Sequence, residues 1–342
     1  MCGYMYNEKY SSFVMEGTSK IIRSSVYIFL SNYLYFTISA LFAFPFSATI
    51  LITQALVPYT SLLPPIQNRL QALLYAAALP PSSQFFNILS LKLSQTITSS
   101  ILVLPFAFSF LLIAKASIIK ALSQKPSTPP KIYSIIPILS SIFSTQIYNS
   151  LLLISVNATS ITIISIAFNC LNVFNLLSTP TSLLLFSAAA AILYSIFLAN
   201  ALIISNLALV SSGMETEGGY MSIIKACVLI RGRNSKAISL ALPLNIALAA
   251  IEALFQYRVV AAFSSTGFPT FSMTLEWLLI AYLYSIFIVL DTIVSCMFFK
   301  SCKTAFNVED QESSISHYID ISQEDQEYII SFSKLKTVEV LP

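Results

Sequence analysis

The chain has 342 residues, of which 56% are hydrophobic and only 10% charged, with a formal net charge of +3. Globular chains carry roughly 25% charged residues, so this composition excludes an ordinary water-soluble domain. The eighteen Lys and Arg are scattered through short segments and form no patch, which excludes nucleic acid as a partner.

In chain order, residues 1–32 begin with mixed polar and apolar residues and lack the short apolar core of a cleavable signal peptide. They read as a cytosolic N-terminus ending in an amphipathic interfacial helix. Residues 24–68 then contain no Asp, Glu, Lys or Arg. The same holds for 93–114 and for the 83 residues between Lys131 and Glu215. A run of about 20 apolar residues is what a ~30 Å hydrocarbon core demands of a helix. The expectation is therefore an all-α polytopic membrane protein with six transmembrane helices. They fall at 33–57, 93–114, from 139 onward, 182–211, 238–257 and 275–299, within a membrane domain covering 33–303. The segment 161–177 reads equally as a re-entrant piece or as an extension of the third helix.

Pro64, Pro65, Pro80 and Pro81 bracket an apolar stretch between the first two spans, which is expected to lie as a lid on the outer surface. With six spans and an inside N-terminus, fifteen basic residues fall inside and three (Arg69, Lys92 and Arg258) outside. The positive-inside rule then places both termini in the cytosol. Lys115 counts in that tally as a loop residue after the second span. Beyond Lys303 the composition turns acidic, with Glu309, Asp310, Glu312, Asp320, Glu324, Asp325 and Glu327. Residues 304–342 are accordingly expected to form a disordered acidic tail, able to bind protein partners.

A short pattern recurs before the first, third and fifth spans. It reads Ser19-Lys20-Ile21-Ile22-Arg23, Tyr133-Ser134-Ile135-Ile136-Pro137 and Met221-Ser222-Ile223-Ile224-Lys225. Gly17 and Gly219, and Asn32 and Asn234, also correspond. The architecture implied is three repeats of an interfacial helix followed by a two-helix hairpin, with membrane lipids as the constant partner.

Polar residues inside apolar spans are the candidates for function. Asp291 lies nine residues before Lys300, hence about 13 Å into the membrane at 1.5 Å per residue. Tyr284 and Ser295 stand at i−7 and i+4 on its face. Glu252 is the second intramembrane acid. An ionisable residue at such depth marks a polar site or a hydrogen-bonded tie between helices. Glu276 and Arg258 are expected to form an interfacial pair. Asn169, Asn172 and Asn175, and Gln146 with Asn149, each share a helix face and read as interhelical glue. No catalytic dyad or metal motif emerges: His317 is the sole histidine, and the five cysteines have no CxxC spacing. Neither an enzyme nor a cofactor is expected.

Gly219 through Leu229 leading into Arg231-Gly232-Arg233, and Phe298-Phe299-Lys300-Ser301-Cys302, carry a resemblance. With the surrounding 16–303, they resemble a family of uncharacterised plant six-pass membrane proteins. That family is distantly similar to the membrane domain attached to some bacterial glycerophosphodiester phosphodiesterases. The resemblance implies the fold and does not imply phosphodiesterase activity, because the catalytic barrel is absent; an endomembrane or plasma-membrane location is expected. Organisation, trafficking or partner binding within the membrane is the function expected, with transport of a small solute or ion through the acidic residues as the alternative.

Overall fold

The structure, a computed structural model, describes residues 17–57, 60–76, 84–123, 136–174, 179–215, 217–266 and 270–338. Every regular element among them is helical. Six helices are long and apolar enough to cross a membrane: Tyr33–Leu56, Asn87–Ser123, Ile136–Val173, Thr181–Glu215, Asn234–Phe263 and Phe271–Ala305. The protein is thus a multi-pass, all-α membrane protein of six spans. Leu34, Leu41, Leu185, Ile192, Ile246 and Leu279 stand 58–76% exposed on their outer faces. In a water-soluble protein this would be a liability; here it is the surface that lipid wets.

The first span, α2 (Tyr33–Leu56), is preceded by a separate helix, α1 (Thr18–Ser31), which starts immediately after Gly17. The fifth span repeats this arrangement. Helix α8 (Tyr220–Ile230) starts immediately after Gly219, and α9 (Asn234–Phe255) follows a break at Arg231–Arg233. The recurring Gly and Asn therefore mark equivalent helix starts and breaks. Gly219 sits at φ +85°, a conformation that favours glycine, and its N–H donates to Thr145 Oγ1 at 3.0 Å. Most of the middle copy of the repeat, 133–135, falls outside the described residues.

The second span is built from α4 (Gln84–Phe106), a π-helical turn at Ala107–Leu111 and α5 (Leu112–Ser123). The turn follows Pro105, whose ring removes one N–H and pushes on the carbonyl a turn earlier; the Ser109 hydroxyl donates to Pro105 O at 2.7 Å. This span runs nine residues past its expected end, since Ala116, Ile118 and Ile119 are apolar and no Gly or Pro intervenes before Pro126. Lys115 consequently lies inside a transmembrane helix and not in a loop.

The third span, α6 (Ile136–Val173), and the fourth, α7 (Pro180–Glu215), form a long hairpin. Residues 161–173 extend α6, because no helix breaker follows Pro137 within it. Thr179 caps α7 by accepting the Ser182 N–H at 3.3 Å, with Pro180 at the first helical position, where its missing N–H costs nothing. Helix α3 (Leu63–Ala76) covers one end of this hairpin: Leu70 and Leu74 pack with Leu89, Ile161, Phe168, Leu183 and Phe186. At the other end, which we call the basic end, Ser141 Oγ donates to Ser212 O at 3.1 Å.

The fifth span continues from α9 through a second π turn, Gln256–Val260, into α10 (Ala261–Thr266). The sixth span opens α11 (Phe271–Val338). The chain divides into a unit Gly17–Phe298 and another containing Phe299–Pro342. In the latter the helix continues to Val338; 301–341 contain neither Gly nor Pro to end it. Within the larger unit, Leu51, Ile251, Phe255, Ile280, Ala281, Tyr284 and Ile288 form one core joining the first, fifth and sixth spans. Lipid tails are as apolar as these side chains, so their cohesion comes from close packing and hydrogen bonds more than from transfer out of solvent.

Candidate functional site

Three polar residues approach one another from three helices at a common depth. Lys115 on α5, Asn206 on α7 and Asp291 on α11 all line a cavity of about 300 Å³. Lys115 lies eight residues from the basic-end terminus of α5 and Asn206 nine from that of α7. These spacings are about 12 and 14 Å along a helix, the same depth as Asp291. Lys115 Nζ donates to Asn206 Oδ1 at 3.2 Å. Lys115 and Asp291 attract one another electrostatically, yet among the described residues no direct ion pair or hydrogen bond joins Asp291 to another side chain. Both are partly accessible, and what they are accessible to is the cavity.

The backbone around Lys115 is fixed by its neighbours: Leu112, Ala114, Ala116, Ile118 and Ile119 are all buried to 1% or less. With the rest of the turn locked into the bundle, the lysine has one direction left. Leu111, the last residue of the π turn, also lines the cavity.

The face of α11 is the one expected. Tyr284, Asp291 and Ser295 all line the cavity, as spacings of seven and four on one helix require. Glu252 lies beside it: the Tyr284 hydroxyl donates to Glu252 Oε1 at 3.0 Å. Further polar ties lead away from the basic end. Ser285 Oγ and Ser47 Oγ are 2.9 Å apart, Gln256 Nε2 donates to Gln54 Oε1 at 3.0 Å, and Arg258 Nη2 donates to Glu276 Oε1 at 2.9 Å. The interfacial Arg258–Glu276 pair is therefore formed.

The amide rows separate into two outcomes. Asn149 is 2% exposed and its Nδ2 donates to Ser205 O at 2.9 Å, tying α6 to α7 as expected of glue. In the other row Asn169 is half-buried, Asn172 is exposed and Asn175 lies outside the described residues. Asn157 on α6 accepts a hydrogen bond from the Tyr194 hydroxyl of α7 at 2.9 Å, a second tie across the same hairpin.

Sequence reasoning missed Lys115, Asn206 and Asn245, the last also lining the cavity. The signal for Lys115 was available: it is flanked by the apolar quartet Leu111–Ala114 on one side and by Ala116, Ile118 and Ile119 on the other. Chemically the site offers one cation, one anion, neutral amides and the hydroxyl residues Tyr284 and Ser295 in an otherwise apolar wall. Among the described residues no group of three His, Cys, Asp or Glu converges as metal ligands do. No curated protein and no solved structure matches the chain. The model of a family described as a domain of unknown function, DUF8558, matches residues 8–337, and with nearly its whole length covered the chain belongs to that family.

Proposed function

We propose that this is a non-enzymatic integral membrane protein that holds a ligand within the bilayer, between Lys115 and Asp291. A single observation carries the reading: the two opposite charges line one cavity, and among the described residues no side chain hydrogen-bonds the carboxylate. Buried charges are paired or serve a ligand. A protein that only organises or traffics neighbours needs a bundle packed throughout and places no demand on Asp291. The transport-type alternative does, and the cavity favours it. The plant six-pass resemblance is kept as part of this proposal and brings no catalytic residues with it. Both termini are assigned to the cytosol from the charge asymmetry.

The test is complementation in cells lacking the protein, read beside expression level and thermal stability in detergent. Asp291→Asn keeps size and hydrogen bonding but removes the charge. It is expected to express and fold as wild type does and to fail complementation. Complementation by both Asp291→Asn and Asp291→Leu would leave the residue without a ligand role and return the protein to the organising class.

A further inference from the structure

Of the residues that line the cavity, Leu202 and Asn245 are the ones that stand exposed. Leu207, Leu240, Val294 and Ile288 are 2–8% exposed, whereas Leu202 on α7 is 40% exposed and Asn245 on α9 is exposed as well. Leu202 lies thirteen residues from the basic-end terminus of α7 and Asn245 eleven from that of α9. At 1.5 Å per residue these are about 20 and 16 Å deep, within a ~30 Å hydrocarbon layer. The mouth between α7 and α9 therefore faces lipid tails and not water.

The volume limits what enters. Sites that enclose a drug-sized ligand span about 300–1,000 Å³, so a cavity of about 300 Å³ takes a polar headgroup and its first few carbons but not a whole lipid. An occupant reaching the site through hydrocarbon must itself be amphipathic, leaving its apolar tail in the bilayer past Leu202. Its head meets Lys115 and Asp291 together. A head with only negative charge would find Lys115 but be opposed by Asp291, and a purely cationic head would face the reverse. A head carrying one charge of each sign satisfies both at once and brings no net charge into the membrane.

Resting on the ligand-binding reading above, we infer that the occupant is a zwitterionic lipid whose headgroup enters laterally between α7 and α9, its anionic group on Lys115 and its cationic group on Asp291.

The experiment uses the full chain purified in detergent, with binding measured by native mass spectrometry against four probes. These are lysophosphatidylcholine (zwitterionic, one chain), lysophosphatidylglycerol (anionic), dodecyltrimethylammonium (cationic) and glycerophosphocholine (the head without a tail). The zwitterionic lysolipid is expected to bind roughly tenfold more tightly than either singly charged amphiphile, a factor worth about 1.4 kcal/mol. Asp291→Asn is expected to shift the preference to the anionic probe and Lys115→Gln to the cationic one. Leu202→Trp, which fills the mouth and leaves the charges alone, is expected to abolish lysolipid binding while the melting temperature stays at the wild-type value. Should Leu202→Trp fold poorly, Asn245→Leu, which strips the polar group from the mouth, is expected to weaken the lysolipid with the charge preference retained.

A preference for a singly charged amphiphile that responds to the Lys115 and Asp291 variants overturns the zwitterion assignment and leaves the ligand reading standing. Tighter binding of glycerophosphocholine than of its lysolipid overturns lateral access and makes the site one for a soluble solute. Binding of any probe that ignores both charge variants overturns the inference and the ligand reading together.

Discussion

Tyr284 donates its phenolic proton to Glu252 across the fifth and sixth spans at 3.0 Å. The phenol is buried and lines the charged cavity, while the carboxylate lies on α9 outside it. The bond gives an intramembrane acid a partner and fixes the wall of the cavity on the side away from the basic end. Tyr284→Phe leaves Glu252 without that donor. The expected loss is about 1–3 kcal/mol, the usual cost of a partly buried acceptor deprived of its partner. Glu252→Gln, which can still accept from the phenol, should lose less. Thermal denaturation of the two variants in one detergent checks the order; equal losses would mean that the carboxylate charge, not the hydrogen bond, carries the interaction.

A second prediction concerns the close approach at the basic end. A Cβ at Gly218 would lie 2.8 Å from the backbone oxygen of Ser141, whereas one at Gly17 would have nothing within 4 Å. Backbone cannot swing aside as a side-chain tip can. Gly218→Ala is expected to destabilise by about 1–3 kcal/mol and Gly17→Ala to be neutral, read as shifts in melting temperature. A neutral Gly218→Ala would mean that the turn before α8 yields freely.

The third is a pH dependence. Lys225 on α8 is paired with Glu217 and with Glu215, the latter at 3.2 Å. These acids, Glu217 foremost, hold its ammonium above the ordinary 10.5. A raised folded-state value means the pair stabilises fully below pH 10.5 and the contribution is lost as pH climbs through the folded value. The lysine is 45% exposed, so solvent screening limits it to about 1 kcal/mol or less. Lys225→Gln should melt slightly below wild type at pH 7 and together with it at high pH. Added salt should narrow the gap at pH 7.

Topology gives the fourth. Glycosylation acceptor sites engineered before Gly17 and after Lys303 should remain unmodified, while one placed in the 77–83 connection should be used. Modification of a site after Lys303 would reverse the end of the sixth span and undo the cytosolic assignment of the tail.

Much of this was legible in the sequence because lipid imposes a simple rule. A helix in hydrocarbon must satisfy its backbone internally and shed charge, and both demands are local. The six spans follow from them, as does the shared face of Tyr284, Asp291 and Ser295, which belongs to a single helix with a single period. The partners of that face were not legible, since nothing in the periodicity of α11 tells which residue of α5 or α7 stands opposite. Lys115 was misplaced for a related reason: a lone lysine after an apolar run looks like the end of a span, and only the surrounding bundle reveals that the helix goes on. The composition of the tail argues against burial, and its lack of Gly and Pro leaves nothing to stop a helix already under way.

The π turn at Ala107–Leu111 has a consequence for the angular phase of the second span. Such a turn is one extra residue accommodated without unwinding the helix, and each residue of a regular helix advances the facing direction by about 100°. Everything beyond it is thus rotated relative to what an uninterrupted α-helix would present. Winding all of 107–111 as regular α-helix would turn Lys115 away from the cavity by roughly that angle, whereas deleting one residue there would remove the bulge and leave Lys115 facing as it does. The direction in which the cation of the site points is therefore set a full turn before the cation itself, beside a proline that does not line the cavity.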